Sequence, residues 1–190
     1  MDQFCTVGNN QEIRVLPDPE FTEETLMAAL FAKLHRALGA YGKGDIGVSF
    51  PEHAQTLGGV IRLHGSQAAL SKLEESRWRA GLNDYSTATA IQAIPDVTGW
   101  RVVSRVQVKS SVERLVRRSL RKGWITEEQA QQRIAEGKDK RCHLPFLHLK
   151  SLSTGQRFRL FISHSELQTA PVSGSFSSYG LSDTATVPWF

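Results

Sequence analysis

Residues 12–51 read EIRVLPDPEFTEETLMAALFAKLHRALGAYGKGDIGVSFP, and the change of hydrophobic period along them decides the fold. Glu12 to Leu16 is a short strand ended by Pro17-Asp18-Pro19, because proline cannot donate to a ladder. Thr22 then caps a helix whose apolar residues Leu26, Met27, Leu30, Phe31, Leu34 and Leu38 recur at helical spacing. Gly39 and the Gly42-Lys43-Gly44 loop end it, and Ile46 to Phe50 is a strand stopped by Pro51. Working outward, Val60 to Leu63 is a strand, and Ser66 caps a second helix carrying Leu70, Leu73 and Trp78. Thr87 to Ile94 is a strand closed by Pro95. The order βαββαβ over residues 1–96 predicts a ferredoxin-like domain, an antiparallel sheet with two helices on one face. That fold hosts many functions, RNA binding among them, so chemistry must be sought in particular residues.

From residue 97 to 190 the pattern changes to a second, mixed α/β domain, which makes the chain α+β. It opens with Arg101–Lys122, RVVSRVQVKSSVERLVRRSLRK, which holds eight basic residues and one acidic residue. The whole chain has 23 Lys+Arg and 19 Asp+Glu, so the remainder carries more acid than base. Such a concentrated cationic element is the footprint of a polyphosphate binder. In 101–109 the valines 102, 106 and 108 share one face of a strand, and Arg105, Gln107 and Lys109 share the other, although Val103 breaks the alternation. Ser110-Ser111-Val112-Glu113 reads as a capping box that opens a helix over about 111–122, and Gly123 stops it. On that helix Arg114, Arg117, Arg118 and Arg121 fall on one side, and Val112, Leu115, Val116 and Leu120 on the other. A solvated helix face ordinarily mixes charge signs, whereas this one has a single sign. A further helix from Thr126 to Ala135 and strands at Leu144–Leu149, at Phe158–Ile162 and in the tail from Phe176 complete the domain.

Guanidinium can straddle phosphate oxygens or grip the O6/N7 edge of guanine, and glutamine matches the N6/N7 edge of adenine. Arg105 and Gln107 are thus candidates for reading neighbouring bases. The six histidines form no metal-binding spacing and there is no aspartate cluster, so neither a metal nor a cofactor is expected. Cys5 and Cys142 are expected as reduced thiols. No apolar run approaches the roughly 18 residues of a membrane span, and the N-terminal MDQFCTVGNNQ does not resemble a secretory leader. A cytoplasmic protein that does not engage membranes is the expectation.

Taken singly, His35 at the edge of the first helix's stripe, Ser151 in a serine-rich loop, Tyr179 after a second such loop and Phe158 each have a plain packing or turn role. Their context is more specific. Pro17-Asp18-Pro19-Glu20-Phe21, Leu34-His35, Ile46-Gly47-Val48-Ser49-Phe50-Pro51, Val103-Ser104-Arg105-Val106-Gln107, Ser153-Thr154-Gly155-Gln156, Tyr179-Gly180-Leu181-Ser182 and Val187-Pro188-Trp189-Phe190 occur in order. With these motifs, from about Gln11 to Phe190, the chain resembles the CRISPR endoribonucleases of type I-F systems, the Csy-type member of the Cas-six group.

That resemblance implies a metal-independent endoribonuclease that binds the hairpin of CRISPR repeat RNA and cuts the precursor at its 3′ base. The RNA's own 2′-OH would be the nucleophile, and the enzyme would keep its product and join a surveillance complex with other type I-F subunits. His35 takes the place of the catalytic histidine, as acid or as base, Ser151 that of the active-site serine and Tyr179 that of a supporting tyrosine. Arg105 and Gln107 fall where bases near the foot of the hairpin are read. Arg114, Arg117, Arg118, Arg121 and Lys122 fall on the arginine-rich helix in the major groove, and Phe158 on the aromatic that stacks on the closing pair. A-form major grooves are too narrow to read along their length, so this docking implies a short stem entered near its open end. Two departures stand out. Asn9-Asn10 lengthens the N-terminus with an expected hairpin or disordered tip, and Lys122 replaces a bidentate arginine with a point charge. A non-cleaving hairpin-binding subunit and a DNA-binding protein with its basic helix in a wide groove are the competing readings.

Overall fold

The computed structural model describes residues 7–108, 112–136 and 142–190. By packing the chain falls into two units: one takes in the chain up to Val106 together with Leu144–Phe190, and the other is Gln107–His143. The architecture is α+β, with two antiparallel sheets and four helices among the described residues.

In the first unit, β1 (Asn9–Val15), α1 (Glu23–Tyr41), β2 (Gly47–Ser49), β3 (Val60–Gly65), α2 (Gln67–Glu75), β4 (Ser86–Ala88) and β5 (Gln92–Ala93) follow in order. The sheet runs β2-β3-β1-β4, with β5 also on β1. Thr22 and Ser66 cap their helices as expected, their hydroxyls accepting from the Thr25 and Ala69 amides. The α1 stripe is buried as read, joined by Ala37. A second sheet is β7-β8-β6-β9, from β6 (Gly99–Val106), β7 (Phe146–Lys150), β8 (Arg157–His164) and β9 (Thr186–Trp189). Ile13, Phe31 and Leu63 of the first sheet and its helix share a buried core with Leu160, Ile162 and Val187 of the second. This burial is the main stabilising term.

Several elements differ from the expected ones. Asn9 and Asn10 are neither a hairpin nor a tip: they open β1, paired with Gly65 and His64, and Asn10 is buried. The strand read at 87–94 is two, divided past Ala88: the Thr89 amide still donates to the Glu12 carbonyl (2.9 Å), but its hydroxyl, in place of its carbonyl, accepts from the Glu12 amide. Trp78 lies beyond the end of α2, though buried, with its indole donating to Glu74. In β6 the core residue is Val103, on the same side as Arg105, and this strand pairs with β9 along 99–102 and with β8 along 103–106. The tail from Phe176 is irregular with a turn at Ser178 and Tyr179, and strand pairing begins at Thr186.

Two neutral imidazoles are built into this unit. His164 and His53 stack with centroids 3.7 Å apart and bracket the main chain of one residue: the Phe50 amide donates to His164 Nε2 (3.2 Å), and His53 Nδ1 donates to the Phe50 carbonyl (2.6 Å). Burial pushes His164 down to about 3, with His53 and Arg101 adding to it. His64, buried beneath the Ser49 hydroxyl at 2.8 Å, is likewise pushed down to about 3 by burial, then by the Arg62 charge. Arg62 is itself buried and paired with Glu12 at 2.7 Å.

Both folded-state values lie below the ordinary 6.5, so the unfolded chain binds more protons between about pH 6.5 and 3. Stability is present in full above that window and is lost as pH falls through it, by at most about 1.4 kcal/mol per pH unit for each histidine. Urea midpoints should drop on going from about pH 7.5 to 4.5. His164→Gln, which keeps an acceptor for the Phe50 amide, should remove one histidine's share of the slope. A slope unaltered by that change would contradict the buried-neutral assignment.

Candidate active site and nucleic-acid interface

His35 lies on α1 one residue past buried Leu34 and is only half-buried, so the helix is bolted to the core while the ring reaches its edge. Its Nδ1 is 3.0 Å from the carbonyl oxygen of Ser178. A carbonyl can only accept, so Nδ1 carries the hydrogen and the lone pair of the neutral ring resides on Nε2. Tyr179 lies flat against the imidazole, with centroids 3.9 Å apart and planes 3° from parallel. Phe31 continues the stack, 6.1 Å from the Tyr179 ring at 8°. The imidazole is thus held in its plane by one hydrogen bond and on its face by one ring.

The partner turn is built for that placement. The Ser177 amide donates to the Leu181 carbonyl and the Gly180 amide to the Ser177 carbonyl, both at 2.8 Å. The Val48 amide donates to the Gly180 carbonyl at 2.8 Å, and the Ser182 amide to the Val103 carbonyl at 3.0 Å, which ties the turn to β2 and β6. Gly180 has φ +69°, and a Cβ there would sit 2.3 Å from Val48 Cγ2. No other residue combines that φ with that approach without strain.

Arg105 extends the row: its guanidinium carbon is 5.8 Å from the Phe158 ring centroid and 5.9 Å from that of Tyr179. The structure therefore gathers His35, Tyr179, Phe158 and Arg105, residues far apart in sequence. Ser151 is placed differently. It follows directly on β7, the strand that packs against α1, in the loop closed by the Lys150–Arg157 pair. Its hydroxyl accepts from the Thr154 amide at 3.3 Å and meets Ser153 Oγ at 3.1 Å. Among the described residues, no hydrogen bond joins it to His35 or Tyr179. Gln107 is exposed just past the end of β6, so it does not share a strand face with Arg105. Nor do any three His, Cys, Asp or Glu side chains among the described residues converge to hold a metal.

The second unit carries the basic helix α3 (Val112–Arg121) against α4 (Glu127–Glu136). Val116 and Ala130 are buried, while Arg114, Arg117, Arg118, Arg121 and Lys122 are exposed, as the helical wheel requires. Leu115, expected on the packed face, is exposed instead. The capping serines Ser110 and Ser111, and Lys109, lie outside the described residues, and Gly123 ends the helix at φ +69° as read.

The family model for CRISPR-associated protein (Cas_Csy4) matches residues 10–190. The chain belongs to this family. Within it, a protein named CRISPR-associated endonuclease Cas6/Csy4 from Escherichia coli (strain UTI89 / UPEC) is 62% identical over 179 residues, 94% of this chain and 97% of its own length. A protein of the same name from Pseudomonas aeruginosa (strain UCBPP-PA14) is 46% identical over 182 residues, with the same coverage of each chain.

Reading the sequence alone missed Phe31 as a second ring parallel to Tyr179 and Ser178 as the partner of His35. Phe31 showed only its core periodicity. Ser178 acts through its carbonyl, which no side chain reports. The turn makes a direct prediction. Gly180→Ala should cost about 2 kcal/mol or more, from the left-handed φ and from overpacking on Val48. That lowers the melting temperature by roughly 4 °C or more in a chain of this size. A melting temperature equal to that of the unaltered chain would show that the turn is not held as described.

Proposed function

We propose that this chain is a metal-independent endoribonuclease that binds the hairpin of CRISPR repeat RNA and cuts the precursor at the hairpin's 3′ base. The observation that carries the chemistry is the His35 Nδ1–Ser178 carbonyl bond, which leaves Nε2 as a proton acceptor beside a stacked tyrosine. The endonuclease names of its relatives support the activity.

His35 Nε2 takes the proton of the 2′-OH that precedes the scissile phosphate. The 2′-oxygen forms its bond to phosphorus as the bond from phosphorus to the 5′-oxygen breaks, and the departing oxygen takes a proton from the protonated His35 or from water. The products are a 2′,3′-cyclic phosphate, or its opened form, and a 5′-hydroxyl. Ser151 holds the ribose so that the attack is in line, and such positioning is worth much of the barrier because the nucleophile is intramolecular. Tyr179 keeps the imidazole in its plane, and Phe158 offers its ring to the closing base pair. Arg105 and Gln107 read guanine and adenine edges at the foot of the stem. Arg114, Arg117, Arg118, Arg121 and Lys122 grip the backbone along the groove. The product hairpin stays bound and enters a type I-F surveillance complex. The β2-β3-β1-β4 order with α1 and α2 supports a ferredoxin-like reading of residues 1–96.

A labelled repeat hairpin tests this. Cleavage should survive EDTA and vanish when the attacking 2′-OH is replaced by hydrogen, with little change in affinity. His35→Ala and Ser151→Ala should bind normally and cut slowly, by about 10²–10⁴-fold for the acid–base group. Abolition by EDTA, or cutting of the deoxy substrate, would require a hydrolytic mechanism. Binding without cleavage by the unaltered chain would favour a non-cleaving hairpin-binding subunit.

The stack separates ring from hydroxyl in Tyr179. Tyr179→Phe keeps the flat packing and should cut nearly as the unaltered chain does, whereas Tyr179→Ala should be severely slowed. Equal loss in both would assign the role to the hydroxyl. Alanine at any one of Arg117, Arg118 or Arg121 should flatten the salt dependence of binding by about one unit of slope for each phosphate left without its guanidinium.

A further inference from the structure

The basic helix ends in an unusual way. The Gly123 amide donates to the Leu120 carbonyl at 2.9 Å and the Trp124 amide to the Ser119 carbonyl at 3.0 Å, with Gly123 in the left-handed region. In this closure the residue after the glycine ordinarily folds a hydrophobic side chain back over the helix. Here the position to be covered is Ser119, and Trp124 is 68% exposed. Tryptophan carries a large apolar area and is highly buried on average, so this exposure needs a reason.

Its surroundings give the reason a chemical character. Lys122 Nζ sits 4.6 Å from the Trp124 ring centroid, a cation on the π face. Arg118 and Arg121 are in the last turn of the same helix, and residues 114–126 contain no acid. Leu115 and Ile134 of the same unit are exposed too, and Glu127 and Glu128 follow in the sequence, but the ring contact of the indole is with a cation, which suits a partner that brings an anion more than an apolar protein surface. A nucleobase has a flat π face, and it brings its own phosphate to the neighbouring cations. It is taken as unpaired, since bases inside a stem have no free face and the closing pair is assigned above to Phe158.

We propose that Trp124 is a stacking platform for one unpaired nucleobase of the RNA held by the arginine helix. This rests on the RNA-hairpin reading above. Lys122, a weaker phosphate ligand than arginine at that position, holds the ring and the backbone of the stacked nucleotide together. The platform adds affinity through stacking that does not depend on salt.

The test is binding of the full chain to the CRISPR repeat hairpin with its flanking nucleotides, at several salt concentrations. Trp124→Ala should bind about 5- to 150-fold more weakly with an unchanged salt slope, and Trp124→Phe should recover most of the loss. Arg117→Ala, by contrast, should flatten the slope. Abasic substitutions, one set in the loop and one in the flanking strands, locate the base. At the stacked nucleotide the abasic RNA should weaken binding by the unaltered chain and add nothing further in Trp124→Ala. The proposal is overturned if Trp124→Ala matches the unaltered chain, if its loss comes with a changed salt slope, or if abasic losses simply add. It is also overturned if Trp124→Ala binds RNA normally and loses only association with a protein. If the unaltered chain itself fails to bind the hairpin, the functional reading fails. If it binds and cuts while Trp124→Ala is indistinguishable from it, only the platform fails.

Discussion

The hydrogen bond from the Val48 amide to the Gly180 carbonyl is the constraint on which the candidate site depends. It brings a turn from near the end of the chain onto the edge of the first sheet, with glycine as the only residue that tolerates both the backbone angle and the close approach to Val48. That turn supplies the Ser178 carbonyl and the Tyr179 ring to a histidine 143 residues earlier than Ser178. Without it α1 would still pack by its apolar stripe, but His35 would have neither a fixed tautomer nor a stacked face. The chemistry of the imidazole is therefore set by a backbone hydrogen bond in which no titrating group takes part.

The rest of that unit places polar groups in a core without leaving them charged. Two stacked histidines bracket the Phe50 main chain, and a third lies beneath a serine hydroxyl; burial keeps two of these rings neutral at physiological pH. Among the described residues Arg62 is the buried charged side chain, offset by Glu12, by the Phe190 main-chain oxygen and by the Phe190 ring at 3.9 Å. Such pairs contribute little net stability but cost much when broken, so they define one arrangement of the core. His35 is half-buried at the edge of α1, whereas His64 is fully buried.

Charge is divided between the units in a way that matches a division of labour. The second unit concentrates guanidiniums on one helix face with Val116 as its buried anchor, and sequence-independent affinity is a natural property of such a face. In the first unit the Arg105 guanidinium lies near the rings of Phe158 and Tyr179, and Tyr179 stacks on His35. In the proposed function Arg105 reads a base edge, for which the directional hydrogen bonds of guanidinium are suited.

Local signals were legible in the sequence because they obey local physics. The α1 stripe, the Thr22 and Ser66 caps, the glycine that ends α3 and the exposed arginine face depend on helical period and on capping hydrogen bonds within a few residues. The ordered motifs carried the family and named His35, Tyr179, Phe158 and Arg105 together. Other features depend on which strands meet. Val103 is buried because its side of β6 faces the shared core, where it joins Leu147, Leu160 and Ile162. Gln107 leaves the sheet because the β6–β8 ladder ends at Val106, and residues 87–94 divide where Thr89 bonds Glu12 by its side chain. The Phe176 tail reads as a strand by composition, yet it is irregular with a turn at Ser178 and Tyr179, because its amides and carbonyls are claimed by Gly44, Val48 and Val103. The fixed proton on His35 could come only from the tertiary structure, since a carbonyl has no signature in sequence and its approach is decided by residues more than a hundred positions away.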